Sequence, residues 1–244
     1  MQSNIRVYSG GPLTLIAIIA IIGLLILVIP LLFLGFAGKA LMNLVGLSWL
    51  TATALVILIL MCSFVNIPVW KVRRETIRMP HNETGMFPDA FTWKEDRGVW
   101  ETTIAVNLGG AIIPVAMACY LLYRATAVIS GDLFYFQVLA AILIVTAMSY
   151  VTTRAMVGVG LRAPLFIPGL TALIAGLLLG EGFGLSAGVI AFVSGVVGTL
   201  LGADIAHLPH VGDLEVPQVS IGGAGTFGAI FIGCILSALL TITL

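Results

Sequence analysis

Apolar residues arrive in long blocks along this chain, and polar residues are confined to the gaps between them. Cutting at charges and turn residues leaves seven runs, at approximately 13–36, 45–68, 100–123, 133–152, 163–180, 184–204 and 219–243. A bilayer core about 30 Å thick needs roughly 20 largely apolar residues for a helix to cross it, so each run predicts one span. The pattern therefore predicts an all-α fold: an integral membrane helical bundle of about seven transmembrane helices, forming a single domain over 1–244. The fourth and fifth runs are the weakest. Arg154 and Arg162 crowd the gap between them, and Pro164 and Pro168 interrupt the fifth, which makes one of the two a candidate for a broken or re-entrant helix. The first run is longer than a signal-peptide core and is read as a retained span.

Only one gap is long, the polar stretch Lys71–Gly98, "KVRRETIRMPHNETGMFPDAFTWKEDRG". It is too short for a domain with its own core and reads as a polar cytoplasmic loop at about 70–99, with Phe87, Phe91, Trp93 and Trp100 as headgroup-level anchors. Orientation follows from the basic residues, which concentrate in cytoplasmic loops. With the N-terminus inside, Arg6, Lys71, Arg73, Arg74, Arg78, Lys94, Arg97, Arg154 and Arg162 fall on the cytoplasmic side, against Lys39 and Arg124 outside. The expected topology is N-terminus cytoplasmic and C-terminus outside.

Composition agrees with the pattern. The chain is 60% hydrophobic and 9% charged, whereas soluble domains carry about 25% charged residues. Formal net charge is zero, which leaves nucleic-acid binding without support. Cys62, Cys119 and Cys234 lie in three different apolar runs without CxxC spacing, so neither a disulfide framework nor a zinc ribbon is indicated.

Within the sixth run, Gly184, Gly188, Ala191, Gly195, Gly198 and Gly202 recur at intervals of three and four, which puts six small residues on one helical face. Such a face lets membrane helices approach closely. Asp204 follows in "GTLLGADIAHL". At 100° per residue it stands about 200° from Gly202, off the small face. A polar residue at membrane depth is a functional candidate, and the rival reading is an acid exposed to headgroups at a helix end.

Asn107, in "VNLGGAIIP", shares a helical face with Ala111 and Pro114. Pro114 cannot donate to the Gly110 carbonyl, so a kink beside an amide side chain is expected, a common way to build a midplane site; plain interhelical hydrogen bonding by Asn107 is the competing account. Ser63, Asn66 and Pro68 close the second run, and Thr146, Tyr150, Thr153 and Arg154 form a polar stripe on the fourth. These groups converge on the inner half of the bundle, and a cytoplasm-facing polar cavity is expected, with Asp204, Asn107, Asn66 and Arg154 as ligand or ion-binding candidates. The series Asp204, His207, His210, Asp213 raises a metal reading for His207 and His210, but Pro209 interrupts it and solvated loop residues are the favoured alternative.

Gly223 to Gly228, "GAGTFG", matches the GxGxxG pattern of dinucleotide loops. That loop needs a preceding strand, a following amphipathic helix and an acid about 20 residues on. After Gly228 the chain runs "AIFIGCILSALLTITL", with no acid, so no nucleotide cofactor is expected, and no other cofactor is identified. The glycines Gly222, Gly223 and Gly225 are instead expected to meet Asp204 near the cytoplasmic face, where they shape the wall of its site and exposed amides receive its carboxylate. No nucleophile elbow, HExxH or Walker pattern occurs, and no catalytic residue is assigned.

Taken together, "SFVNIPVW", "VNLGGAIIP", "VSGVVGTLLGADI" and "SIGGAGTFGAIF" resemble an uncharacterised family of bacterial and archaeal polytopic membrane proteins, domain of unknown function 1614. The resemblance runs from the second span to the C-terminus. It implies a multi-pass protein of a bacterial or archaeal plasma membrane, and no established activity. Residue by residue it points to Asn66 and Pro68, to Asn107 with Gly109, Gly110 and Pro114, to Gly202 with Asp204, and to Gly222, Gly223 and Gly225, with Gly198 in the same packing class. An acid commonly follows Gly-Thr-Phe in that family, whereas Gly228 stands here. The "GAD" of Gly202–Asp204 also resembles the glycine-aspartate motif of presenilin-type proteases, which share one proton between two acids; only one such acid is found here. Three functions are carried forward: transport or small-ligand and ion binding first, a structural subunit of a larger membrane complex second, an intramembrane aspartyl-type protease third. The expected partners are the lipid bilayer and either further copies of the chain or other membrane-complex subunits.

Overall fold

The computed structural model describes residues 12–78, 96–129 and 133–241. Seven α-helices appear in chain order: α1 (Pro12–Val45), α2 (Trp49–Cys62), α3 (Ile113–Val128), α4 (Leu133–Thr152), α5 (Ile167–Leu179), α6 (Leu185–Val193) and α7 (Phe227–Leu239). Each falls within or across one of the apolar runs, and α4 spans Leu133–Thr152, the fourth run to the residue. Among the described residues, four helical stretches are long and apolar enough to cross a membrane: Ile22–Val45, Leu108–Val128, Leu133–Thr152 and Leu185–Leu214. The other three, α2, α5 and α7, have 13 or 14 residues, about 20 Å at 1.5 Å per residue. Of the two runs expected to be weakest, the fourth is one of the long helices and the fifth is short, and the second and seventh fall short beside it.

The long stretch headed by α6 is the centre of the bundle. In its apolar window 78% of residues are buried, against 28–33% for the other three long helices, and it touches α3, α4, α5 and α7. Its small residues make this possible. A Cβ at Gly188 would meet Thr241 and Leu44, one at Gly195 would meet Ala172 of α5, and ones at Gly198 and Gly202 would run into Val145 and the Thr146 carbonyl of α4. The small face thus serves α7, α5 and α4 in succession rather than one partner. The reason is local: after Val193 the helix widens into two π segments, Ser194–Gly198 and Leu200–Asp204, and each wide turn re-aims the face. Beyond Asp204 the chain tightens into a 3₁₀ helix, Ile205–Leu214, which contains Pro209. The expectation of a loop from His207 onward is corrected here. Pro209 removes one backbone donor from this helix, and its fixed φ near −65° lies within the 3₁₀ range.

The all-α expectation is also amended. The molecule is mostly helical, but five strands gather at one end of the bundle. β1 (Asn66–Arg78) pairs antiparallel with β2 (Asp96–Asn107), from Asn66 opposite Asn107 to Arg78 opposite Asp96. β2 in turn pairs in parallel with β5 (Gln218–Ile221), Thr103 to Val106 against Gln218 to Ile221. A separate short hairpin joins β3 (Arg154–Met156) to β4 (Gly160–Arg162). So the start of the third run, the tail of the second and the start of the seventh are strand, not helix. They read as apolar runs because these strands are apolar beside apolar helices. The polar gap contributes the arms of the β1–β2 hairpin; Phe87, Phe91 and Trp93 lie outside the described residues. Between the arms, Glu101 accepts from Lys71 (2.6 Å) and Arg73 (3.0 Å), and these two cations hold its carboxyl below the usual range. A carboxylate depressed in this way favours the pairing above its ordinary pKa and loses that favour as pH falls through the lowered value.

The other end of the bundle is closed by short connections, with Arg124 donating to the Leu44 carbonyl and Gly184 N–H to that of Leu240. The close approach of the second π segment to α4 leaves no room for a side chain at Gly202. Gly202→Ala forces a methyl group onto the Thr146 carbonyl and is expected to lower stability by about 1–3 kcal/mol, read as a lower midpoint of thermal unfolding in detergent. Gly35→Ala in α1, where a Cβ meets nothing within 4 Å, is expected to leave the midpoint unchanged or raise it.

Candidate functional site

Asp204 stands where the second π segment gives way to the 3₁₀ helix, and it is 2% exposed. Its carboxylate is directed at the turn between β5 and α7. Its Oδ2 accepts the backbone N–H of Gly222 (2.7 Å) and the hydroxyl of Thr226 (3.0 Å). Both hydrogen bonds with described residues end on that one oxygen, so Oδ1 is left for the adjoining space. The expected meeting of Asp204 with the glycine cluster is found, although the amide comes from the turn after β5 rather than from the first turn of α7.

That turn is possible because of glycine. Gly222 has φ +70°, in the left-handed region that residues with a Cβ rarely adopt. A Cβ on Gly110 would collide with the Gly222 carbonyl, one on Gly225 with the Leu161 carbonyl of β4, and one on Gly223 with Ser220. Across the same contact, a Cβ on Gly109 would enter the end of α2 at the Ile59 carbonyl. The glycines therefore bring α2, the start of α3, the β3–β4 hairpin and the β5–α7 turn to backbone contact around one point.

Asn107 holds the second half of the site together. It is the last residue of β2 and caps the π segment Leu108–Ile112 that leads into α3. Its Oδ1 accepts from the Gly110 N–H (2.7 Å), and its Nδ2 donates to the Ser63 carbonyl (2.6 Å) and to Asn66 Oδ1 (2.9 Å). Asn107 is 1% exposed with its amide engaged on both ends, so it positions Asn66 rather than facing a ligand. Pro114 stands just after the junction of the π segment Leu108–Ile112 with α3, inside the helical stretch Leu108–Val128, so the break in regularity expected at Pro114 takes the form of wide turns ahead of it.

Asn66 Oδ1 also accepts from the Ser220 hydroxyl (2.5 Å). Asn66, Ser220, Thr226 and Asp204 then line one cavity of about 270 Å³, walled further by Gln218 of β5 and by Gly160 and Leu161 of β4. Polar groups and one buried carboxylate face a space large enough for a small solute. Arg154 does not join them. It is exposed on β3 and lines a separate cavity with Arg162. Position 228 does not line the Asp204 cavity either, and a Cβ there would meet Leu165. His207 contacts the Gly202 carbonyl through Nδ1 (3.1 Å) and lies against the Tyr150 ring, while His210 is exposed. Among the described residues no group of three or more His, Cys, Asp or Glu is gathered to hold a metal.

Thr226, Ser220 and Gln218 were not singled out from sequence. Thr226 alone carried a signal, as the one hydroxyl inside the glycine cluster. Behind the cavity, the polar stripe of α4 continues as a buried seam: the hydroxyls of Thr146, Ser149 and Thr153, and of Thr199 facing them from the bundle centre, have no hydrogen-bond partner among the described residues.

No curated protein and no solved structure matches this chain. A family model described as "Protein of unknown function (DUF1614)" matches residues 60–240, which includes every residue of the Asp204 cavity, and the chain belongs to that family.

Proposed function

We propose that this chain is a multi-pass membrane protein with seven membrane-embedded helices and its N-terminus in the cytoplasm, which binds a small cation or amine in the Asp204 cavity as a step in its transport. The observation that carries the reading is the half-engaged carboxylate: Oδ2 is held by Gly222 and Thr226, while the cavity beside it is lined by the further oxygen-bearing side chains of Asn66 and Ser220. A carboxylate with neighbouring neutral oxygens attracts a positively charged or hydrogen-donating solute and repels an anion.

Helix length supports an aqueous cavity at membrane depth. α2, α5 and α7 each give way to a strand or turn at the end where the sheet and cavity lie, and irregular backbone within a membrane is tolerated only where protein buries it or water reaches it. Broken helices beside a binding site are a recurring design of transporters. The orientation that puts this end in the cytoplasm rests on the distribution of Lys and Arg. An aspartyl protease is the weaker reading, because Asp204 is the single acid lining the cavity among the described residues and a Cβ added at Gly228 would meet Leu165.

Uptake of Na⁺, K⁺ and methylammonium into proteoliposomes tests the proposal. At least one of them is expected to enter faster than into empty liposomes, with Asp204→Asn lowering the rate at least about tenfold and Asn66→Ala about fivefold, the size of a lost hydrogen bond to a charged or neutral group. Uptake that survives Asp204→Asn unchanged would exclude Asp204 as the ion site. For orientation, single cysteines in a cysteine-free background are labelled with an impermeant maleimide. Leu47→Cys, in the exposed turn between α1 and α2, is expected to react in intact cells, and Lys71→Cys only after permeabilisation; the reverse result would invert the topology.

A further inference from the structure

Arg154 and Arg162 are directly opposite each other in the β3–β4 register. Opposed residues in an antiparallel pair project from the same face with their Cβ atoms about 4.5–5.5 Å apart, and like charges in that position destabilise the pair. Nothing in the described protein relieves the repulsion. Neither arginine has an ion-pair partner among the described residues, where the ion pairs are those of Glu101 with Lys71 and Arg73. Both are exposed, and both line a cavity of about 560 Å³ that holds no acid among the described residues. Its remaining wall is largely hydrocarbon: Val151, Met156, Pro164 and Ile167.

The position of this cavity in the chain matters as much as its charge. It lies between the last turn of α4 and the first turn of α5, two apolar helices. The apolar residues around it are open to the surroundings, with Val151 78% exposed, Val157 66% and Phe166 56%. In water such a belt is costly; at a membrane boundary it meets acyl chains while arginine side chains reach the headgroups. Two guanidinium groups side by side over an apolar floor match a phosphodiester attached to hydrocarbon, since each presents a planar pair of donors to phosphate oxygens.

We infer that the Arg154–Arg162 face of the β3–β4 hairpin is a binding site for the phosphate headgroup of an anionic phospholipid. The phosphate bridges the two guanidinium groups and cancels their mutual repulsion, and the acyl chains run down the exposed sides of α4 and α5. This site is distinct from the Asp204 cavity, which takes the opposite charge and is lined by Leu161 on the other face of the same hairpin.

The test uses the full chain, delipidated in a mild detergent and titrated with phosphatidylglycerol or phosphatidylcholine, with bound lipid read by native mass spectrometry. Wild-type protein is expected to retain phosphatidylglycerol preferentially. Each arginine near an anionic headgroup contributes about a fivefold gain in affinity, so Arg154→Gln is expected to lose about fivefold and the Arg154→Gln/Arg162→Gln pair about 25-fold. Arg154→Lys/Arg162→Lys keeps the charge without the planar fork and is expected to fall between wild type and the glutamine pair. An unchanged thermal unfolding midpoint identifies these losses as binding effects. Equal retention of the two lipids by wild type, or undiminished phosphatidylglycerol on a folded glutamine pair, would overturn the proposal. Displacement of the lipid by millimolar inorganic phosphate would overturn it as well, because the site would then be one for free phosphate.

Discussion

One hydrogen bond joins the parts of this protein that chain order keeps apart: the N–H of Gly222, donated to Asp204 at the end of the central helix. It is possible only because Gly222 adopts a left-handed backbone and because Gly110, pressed against its carbonyl, has no side chain. From this point the remaining contacts follow. The turn is held in line by the parallel pairing of β5 with β2, and β2 ends in Asn107, whose amide caps the start of α3 and grips the end of α2. A buried carboxylate is costly unless its acceptors are used, so the acid and the amide stabilise each other's unusual positions. The same bond that orders the fold leaves one carboxylate oxygen turned to the cavity.

The helices were legible because membrane insertion demands a long apolar run and little else. The strands were not, for a reason visible in β2. Its residues Val99–Asn107 include Val99, Trp100, Ile104, Ala105 and Val106, and what makes them extended is pairing with Asn66–Glu75 on one side and Gln218–Ile221 on the other. That information lies more than a hundred residues away in the second case and leaves no period in the local sequence. β3 and β4, at three residues each, are too short to carry any period.

The candidate site was legible in part. Asp204 and the glycines could be linked in advance because a charge at membrane depth needs donors, and a glycine-rich turn exposes its amides. The role of Asn107 went the other way. An amide in an apolar run reads equally well as ligand group or internal brace, and only the count of its hydrogen bonds, three with all of them internal, decides for the brace. Arg154 was grouped with Asp204 by its place along the chain, but a hairpin has two faces, and Arg154 is on the face turned away.

That hairpin is a thin partition. Leu161, on the side of the Asp204 cavity, is pressed by Gly225, while its immediate neighbour Arg162 faces outward. A wall one strand thick cannot be displaced on one side alone. Any ligand that binds one setting of it more tightly than another must alter affinity on the opposite side by the same factor, since coupling between two sites is reciprocal. For the two proposed sites, lipid on one side and solute on the other, this partition, packed on Gly225, is the element through which occupancy of one would change the affinity of the other.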